Sequence, residues 1–132
     1  MLPYHGKYPN LHKHSIVFPG AELTGDVTLD EYASVWLNVA IRGDVNKVVV
    51  GKYSNVQDNS VLHVEDNSPC IIGDFCTIGH NAIVHGAVLE DHVLVGMGAI
   101  ILSRCHIGRG SIIAAGAVVK ENTVIPPYSL VV

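Results

Sequence analysis

The stretch "VGMGAIILSRCHIGRGSIIAAGAV", residues 95–118, decides the fold. An aliphatic residue opens each group of six: Val95, Ile101, Ile107 and Ile113, with Val119 next. Four positions after each opener stands a small residue: Ala99, Cys105, Ser111 and Ala117. Working outward, the same hexads run through Leu23, Leu29, Val35 and Ile41, then Val50, Val56 and Leu62, then Ile72, Ile78 and Val84. They resume at Leu89 and continue past Val119 to Ile125 and Val131. Extra residues near Asn46 and around Asn67–Cys70, and a missing one before Leu89, interrupt the count. A helix has no period of six, and a hairpin array shows turn signals at a longer spacing. A repeat this regular outranks local propensity.

Hexads rich in β-branched residues and glycine favour short strands joined by tight corners. Three hexads then make one coil of a triangular prism, and coils stack at about 4.8 Å, the spacing of strands in a sheet. Openers point inward, and the small residue fills the space beside each corner. The glycine after an opener, at Gly51, Gly73, Gly79, Gly96 and Gly108, is expected to ease the chain round the corner by its conformational freedom. Cys76 and Cys105 fall on small-residue positions and read as core. The sequence predicts an all-β, single-stranded parallel β-helix, a single domain over residues 1–132 with regular repeats over 15–132.

Composition narrows the function. Of 132 residues, 48% are hydrophobic and 6% aromatic, so the core is aliphatic. The formal charge is −4 and the eight Lys and Arg are scattered, which argues against a nucleic-acid surface. No apolar run reaches the roughly 20 residues of a bilayer span. The amino terminus, "MLPYHGKYPN", lacks the regions of a signal peptide. Three cysteines without metal-type spacing fit a reducing compartment, so a cytoplasmic location is expected.

Within "TIGHNAIVHG", residues 77–86, two histidines stand five apart where the repeat needs neither. The residue after an inward opener points outward. His63 follows Leu62 and His85 follows Val84, one coil later once the extra residues are looped out. Arg42 follows Ile41 one coil earlier, so the outward column is Arg42, His63, His85. Two imidazoles one rung apart can meet the roughly 3.3 Å ligand separation of a tetrahedral zinc site. His80 falls at the opposite end of the strand that carries His85. If it is a ligand, it should ligate a metal held by His63 and His85 of another chain, an arrangement that a cyclic trimer repeats at each interface. His5, His12 and His14 precede the regular repeat, and with His92 and His106 they read as surface residues.

The segments "RGD" (42–44), "NVQDNSVLH" (55–63) and "GHNAIVHG" (79–86) resemble the signature of the γ-class carbonic anhydrases and their close homologues, hexapeptide-repeat proteins with a left-handed β-helix. The left hand is implied by that resemblance alone; the general rule for parallel crossovers gives the opposite. The resemblance implies a homotrimer with zinc at the interfaces, Fe(II) or Co(II) being plausible substitutes. His63 and His85 of one chain and His80 of a neighbour are then the ligands. Gln57 and Asn55 match residues lining the pocket for water and CO₂. Arg42 and Asp44 match residues that secure the interface and order the site through ion pairs. The implied reaction is attack of metal-bound hydroxide on CO₂ to give bicarbonate.

Two departures bear on that activity. The most active members carry a glutamate directly after the RGD-type aspartate, where this chain has Val45, and their acidic loop is reduced here to "VEDNSPC". Glu65 and Asp66 are the remaining candidates for proton shuttle, and slow turnover is expected. Most members also close the prism with a carboxy-terminal helix; this chain stops in mid-hexad at "SLVV", so no capping helix is expected in it. The competing readings are a non-catalytic metal-binding trimeric scaffold or accessory subunit, and then a hexapeptide acyltransferase or a thioesterase. Metal content and CO₂ hydration separate them.

Overall fold

The computed structural model describes residues 1–132, and none of them is helical. The chain winds as a left-handed parallel β-helix whose three faces are made by successive short strands. The third face is a sheet of seven strands, one per coil: Ile16–Val17, Ser34–Val35, Asn55–Val56, Thr77–Ile78, Leu94–Val95, Ile112–Ile113 and Leu130–Val131. The first face holds Val61–His63, Ile83–His85, Ile100–Ile101 and Val118–Val119. The second holds Asn10–Leu11, Cys70–Ile72, Val88–Leu89, His106–Ile107 and Val124–Ile125. Two long strands, Glu22–Leu29 and Ala40–Val50, bend from the first face onto the second and join both into an 11-stranded sheet. Every strand-to-strand register in both sheets is parallel.

The hexad openers are the core. Each one from Leu23 to Val119 is buried, while Ile125 and Val131 pack against the core from its end. Burying an aliphatic side chain of this size stabilises by about 1.5–3 kcal/mol, so the column of openers supplies the main cohesion between coils. Cys76 and Cys105 lie in that core as expected, and all three cysteines are free and buried. Burial pushes the Cys70 thiol up to about 12, which keeps it an inert packing group. At two of the small-residue positions a serine hydroxyl donates to a carbonyl of the next coil: Ser54 to Gly73 at 2.7 Å and Ser60 to Gly79 at 2.8 Å. No buried side-chain polar atom is left without a partner, as close packing requires. No helix is long and apolar enough to cross a membrane.

The corners differ from expectation in one respect. Gly51, Gly73, Gly79, Gly96 and Gly108 have ordinary negative φ, so conformational freedom is not what they contribute. A Cβ on Gly51 would stand 2.5 Å from the Gly73 carbonyl oxygen, so glycine is needed for the close approach of the coil above. The left-handed conformation falls instead on the fourth hexad position: Tyr32, Asn38, Tyr53, Asn59, Phe75, Asn81, His92, Arg104, Asn122 and Tyr128 all have φ between 56° and 61°. Asparagine tolerates that region, whereas bulky residues adopt it at a cost. On the corner between the second and third faces these bulky residues are aromatic and stack: Tyr32 on Tyr53 at 5.0 Å, Tyr53 on Phe75 at 5.2 Å, Phe75 on His92 at 5.0 Å. Stacking of this kind contributes about 0.5–1.5 kcal/mol per pair, comparable to the strain it offsets.

Gly98 has φ +68° and open space around a would-be Cβ, so Gly98→Ala is expected to cost about 1–2 kcal/mol from backbone conformation alone. Gly51→Ala needs no unusual φ but forces a methyl group into backbone, which is expected to cost up to about 3 kcal/mol. Urea unfolding of both variants measures the order. A smaller loss for Gly51→Ala would show that the coils can separate to admit a side chain.

Candidate metal centre

His63 and His85 are direct register partners on adjacent coils of the first face. Register survives because the extra residues leave the ladder: Glu65 and Ser68 close a tight turn by exchanging backbone hydrogen bonds of 3.0 and 3.2 Å. The other insertion does the opposite work. Residues 44–47 bulge from the strand Ala40–Val50 opposite the single residue Asp26, and the bulge delivers Asp44 to His63. Asn46 ties the two excursions together, its amide donating to the carbonyls of Glu65 (3.2 Å) and Asp66 (3.0 Å).

The two imidazoles face each other edge to face, with His63 Nδ1 3.0 Å from His85 Nε2. Their far nitrogens are both engaged. His63 Nε2 donates to Asp44 Oδ1 at 3.1 Å, and His85 Nδ1 lies 2.8 Å from the Ser103 hydroxyl, which in turn abuts Glu65. A neutral His63 protonated on Nε2 presents the Nδ1 lone pair to its partner. A neutral His85 protonated on Nδ1, donating to Ser103, presents Nε2 in return. That tautomer pair aims two lone pairs at one point, at close to the roughly 3.3 Å edge of a tetrahedral zinc site, each ligand braced by a path ending on a carboxylate. The residues present therefore fit a divalent metal.

Arg42 pairs with Asp44, and the Val45 amide donates to the same carboxylate at 2.9 Å. Desolvation opposes ionisation of Asp44, but the Val45 amide, Arg42 and His63 outweigh it and hold the carboxyl down to about 2. Glu65 is also held below the usual carboxylate range, first by Ser103, with Arg104 adding its charge and an ion pair. Asp66 is exposed beside Val45 in the same shallow depression, with Glu65 and Asn67.

His80 stands elsewhere. It sits on the turn that precedes the strand Ile83–His85, at the other corner of the first face, rather than on the strand itself. Its Nδ1 lies 3.1 Å from Asp58. Gln57 and Asn55 belong to this second cluster: Gln57 donates to Asn55 Oδ1 at 3.1 Å and lines a depression with His80, Leu94 and Met97. The predicted residues thus fall into two groups, Arg42, Asp44, His63, Glu65 and His85 at one corner and Asn55, Gln57 and His80 at the other. Within one chain the three histidines do not converge; the only set of three or more ligating side chains that does so is His12, His14 and Glu31. Ser103 and Asp58 went unrecognised in the sequence. The coil offset that puts His63 beside His85 also puts Asp58 beside His80, and Ser103 reaches His85 over Gly86, so the count alone held both signals.

Residues 86–121 match the bacterial transferase hexapeptide (six repeats) family, which fits the coils. A "Probable carbonic anhydrase" of Methanocaldococcus jannaschii is 50% identical over 92% of this chain and 76% of its own length. "Gamma carbonic anhydrase 1, mitochondrial" of Arabidopsis thaliana is 43% identical over 91% of this chain, which spans only 46% of that protein. Among solved structures, a hexapeptide transferase family protein from Anaplasma phagocytophilum superposes with a TM-score of 0.94 at 36% identity, over 98% of this chain and 76% of its own. This chain spans between 38% and 76% of the length of the carbonic anhydrase relatives. The chain belongs to the γ-class carbonic anhydrase family of hexapeptide-repeat proteins.

Burial, followed by the Arg42 charge, holds His63 below its ordinary value, while Asp44 works the other way. Removing the carboxylate in Asp44→Asn is therefore expected to lower the His63 pKa further in metal-free protein, read by NMR titration of the ring nitrogens. A rise would overturn the assignment of the Asp44 hydrogen bond. The sign for stability follows from linkage. The folded chain binds this proton less tightly than the unfolded chain, so the contribution of His63 is present above about pH 6.5 and lost as pH falls through the lower, folded value.

Proposed function

We propose that this chain assembles as a homotrimer in the cytoplasm and hydrates CO₂ to bicarbonate, slowly, at metal centres between subunits. His63 and His85 of one subunit and His80 of its neighbour would hold the metal, with zinc favoured and Fe(II) or Co(II) also suited to three imidazoles. The observation that carries this reading is the division of the site into two incomplete halves at opposite corners of one face. Neither half alone offers three imidazoles to a metal, and a cyclic assembly that joins corner to corner would complete both at every interface. When bound, the metal would supply a Lewis acid able to bring the pKa of a water ligand to about 7.

The chain's own residues would do the rest. Asp44 fixes the His63 tautomer that leaves Nδ1 free, and Ser103 would accept from His85 Nδ1 when Nε2 holds the metal. Arg42 keeps Asp44 ionised. Gln57, with its amide anchored on Asn55, would enter the neighbour's half of the site beside His80 and orient water or CO₂ by hydrogen bonding. Proton export is the weak part. Val45 carries no acid or base, and a Glu65 carboxylate held below the usual range by Ser103 and Arg104 is a poor acceptor at neutral pH, which leaves exposed Asp66. That same observation favours a second reading, a metal-binding scaffold with no turnover; an acyltransferase would not require the split histidine set, whereas a thioesterase could use the same metal.

Two measurements test the proposal. His80→Ala is expected to abolish stoichiometric zinc binding at the interface while the protein remains a trimer by light scattering; full retention of interface zinc sinks the cross-subunit ligand. Stopped-flow CO₂ hydration by zinc-loaded protein should show a slow rate that disappears in His85→Ala. A trimer with metal bound and no rate would leave the scaffold reading in its place.

A further inference from the structure

The three corners of the prism carry different chemistry. One holds His63 and His85, the next in the coil holds the aromatic stack, and the third holds His80. At the amino-terminal head of the aromatic stack lie His12, His14 and Glu31, whose ligand atoms are all within 4.8 Å of one another. The cluster shares no residue with either half of the interface site, and it is complete within one chain.

Its geometry is built by the first coil. Leu11 pairs with Leu29, and the next amide, His12 N, donates to the Leu29 carbonyl at 2.9 Å. The His12 carbonyl then accepts from the Ser15 amide at 2.9 Å and from the Ser15 hydroxyl at 2.7 Å, which closes a turn. That turn brings the His12 and His14 rings to 5.3 Å. The His14 ring stacks on Tyr32 of the coil above at 5.1 Å and 15°, so its orientation is set by packing. Its Nδ1 lies 3.4 Å from Glu31 Oε1, close to the separation of two ligands in a tetrahedral site with bonds of about 2.0–2.1 Å.

We propose that His12, His14 and Glu31 bind a second divalent metal ion of the zinc class, which clips the amino-terminal turn to the next coil. Two imidazoles and one carboxylate suit Zn(II), Co(II), Ni(II) or Cu(II); calcium and magnesium require oxygen ligands. The ligands come from two coils that adjoin only in the folded chain, so the ion binds the native state and stabilises it by linkage. The clip ties the turn of His12 and His14 to the coil that carries Glu31.

The test uses the full-length chain with the interface histidines removed, His63→Ala with His85→Ala, and zinc as the probe. Calorimetric titration is expected to show one zinc per chain, and zinc should raise the melting temperature of this variant. Adding His14→Ala should abolish both effects, and adding Glu31→Gln should weaken binding by more than the roughly 10–100-fold lost when a supporting residue is removed. Absence of zinc binding in the background variant, or undiminished binding after His14→Ala, overturns the proposal. If the background variant does not fold, otherwise wild-type chains serve: His12→Ala with His14→Ala should bind one zinc fewer per chain, and equal stoichiometry refutes the clip. Neither outcome depends on trimer formation or on CO₂ hydration.

Discussion

Everything at the candidate metal centre depends on one register: His63 lying directly beside His85 on adjacent coils. A slip of one residue would turn both side chains into the core. The openers forbid that slip, because Leu62 and Val84 flank the pair and are fully buried. The hydrophobic column therefore does more than hold coils together; it fixes the separation of two nitrogens to 3.0 Å. A catalytic or binding site on loops would lack this constraint. Here the stacking distance of the sheet sets the scale, and two imidazoles one rung apart need only tilt toward each other.

The insertions make sense in the same terms. A strict hexad run puts Asp58 beside His80, but at the corner of His63 and His85 no hexad position supplies a carboxylate. The bulge at 44–47 brings Asp44 to His63, and the turn at 65–68 carries Glu65 to Ser103 and Arg104. Both sit at the corner where the paired histidines lie, so the repeat is broken where polar support is wanted and nowhere on the aromatic corner. That corner shows what an unbroken repeat does instead: bulky residues in a left-handed conformation, stacked from Tyr32 to His92.

The sequence made the openers, the burial of Cys76 and Cys105, and the column Arg42, His63, His85 legible, because each follows from counting in sixes. Counting does not report φ. The left-handed fourth position was half legible: Asn38, Asn59, Asn81, Asn122, Gly98, Gly110 and Gly116 are residues that favour it, whereas Tyr32, Tyr53, Phe75, His92, Arg104 and Tyr128 give no such signal. The glycine after the opener was noticed for the wrong physical reason, since composition reveals that a side chain is absent and not whether space or torsion demands it. Ser103 and Asp58 were countable but looked ordinary, a core serine and a surface aspartate. His12 and His14 lie before the repeat as read from the sequence; the register of Leu11 with Leu29 and the turn closed by Ser15 bring them to Glu31.

The supports of the two paired histidines differ in a way that bears on turnover. Asp44 is locked by the Val45 amide and Arg42 and stays ionised down to about pH 2, so it can brace His63 but cannot accept a proton in the physiological range. Glu65, held by Ser103 and Arg104, is likewise poor at accepting one. Both carboxylates nearest the paired histidines are thus committed to orientation, and a general base works best with a pKa near the working pH. A centre of this kind is well made for holding a metal in one geometry and poorly made for exporting a proton at each cycle. Under the proposed reaction, the slow step is then set at the corner where Val45 stands, by a missing proton path rather than by the ligands.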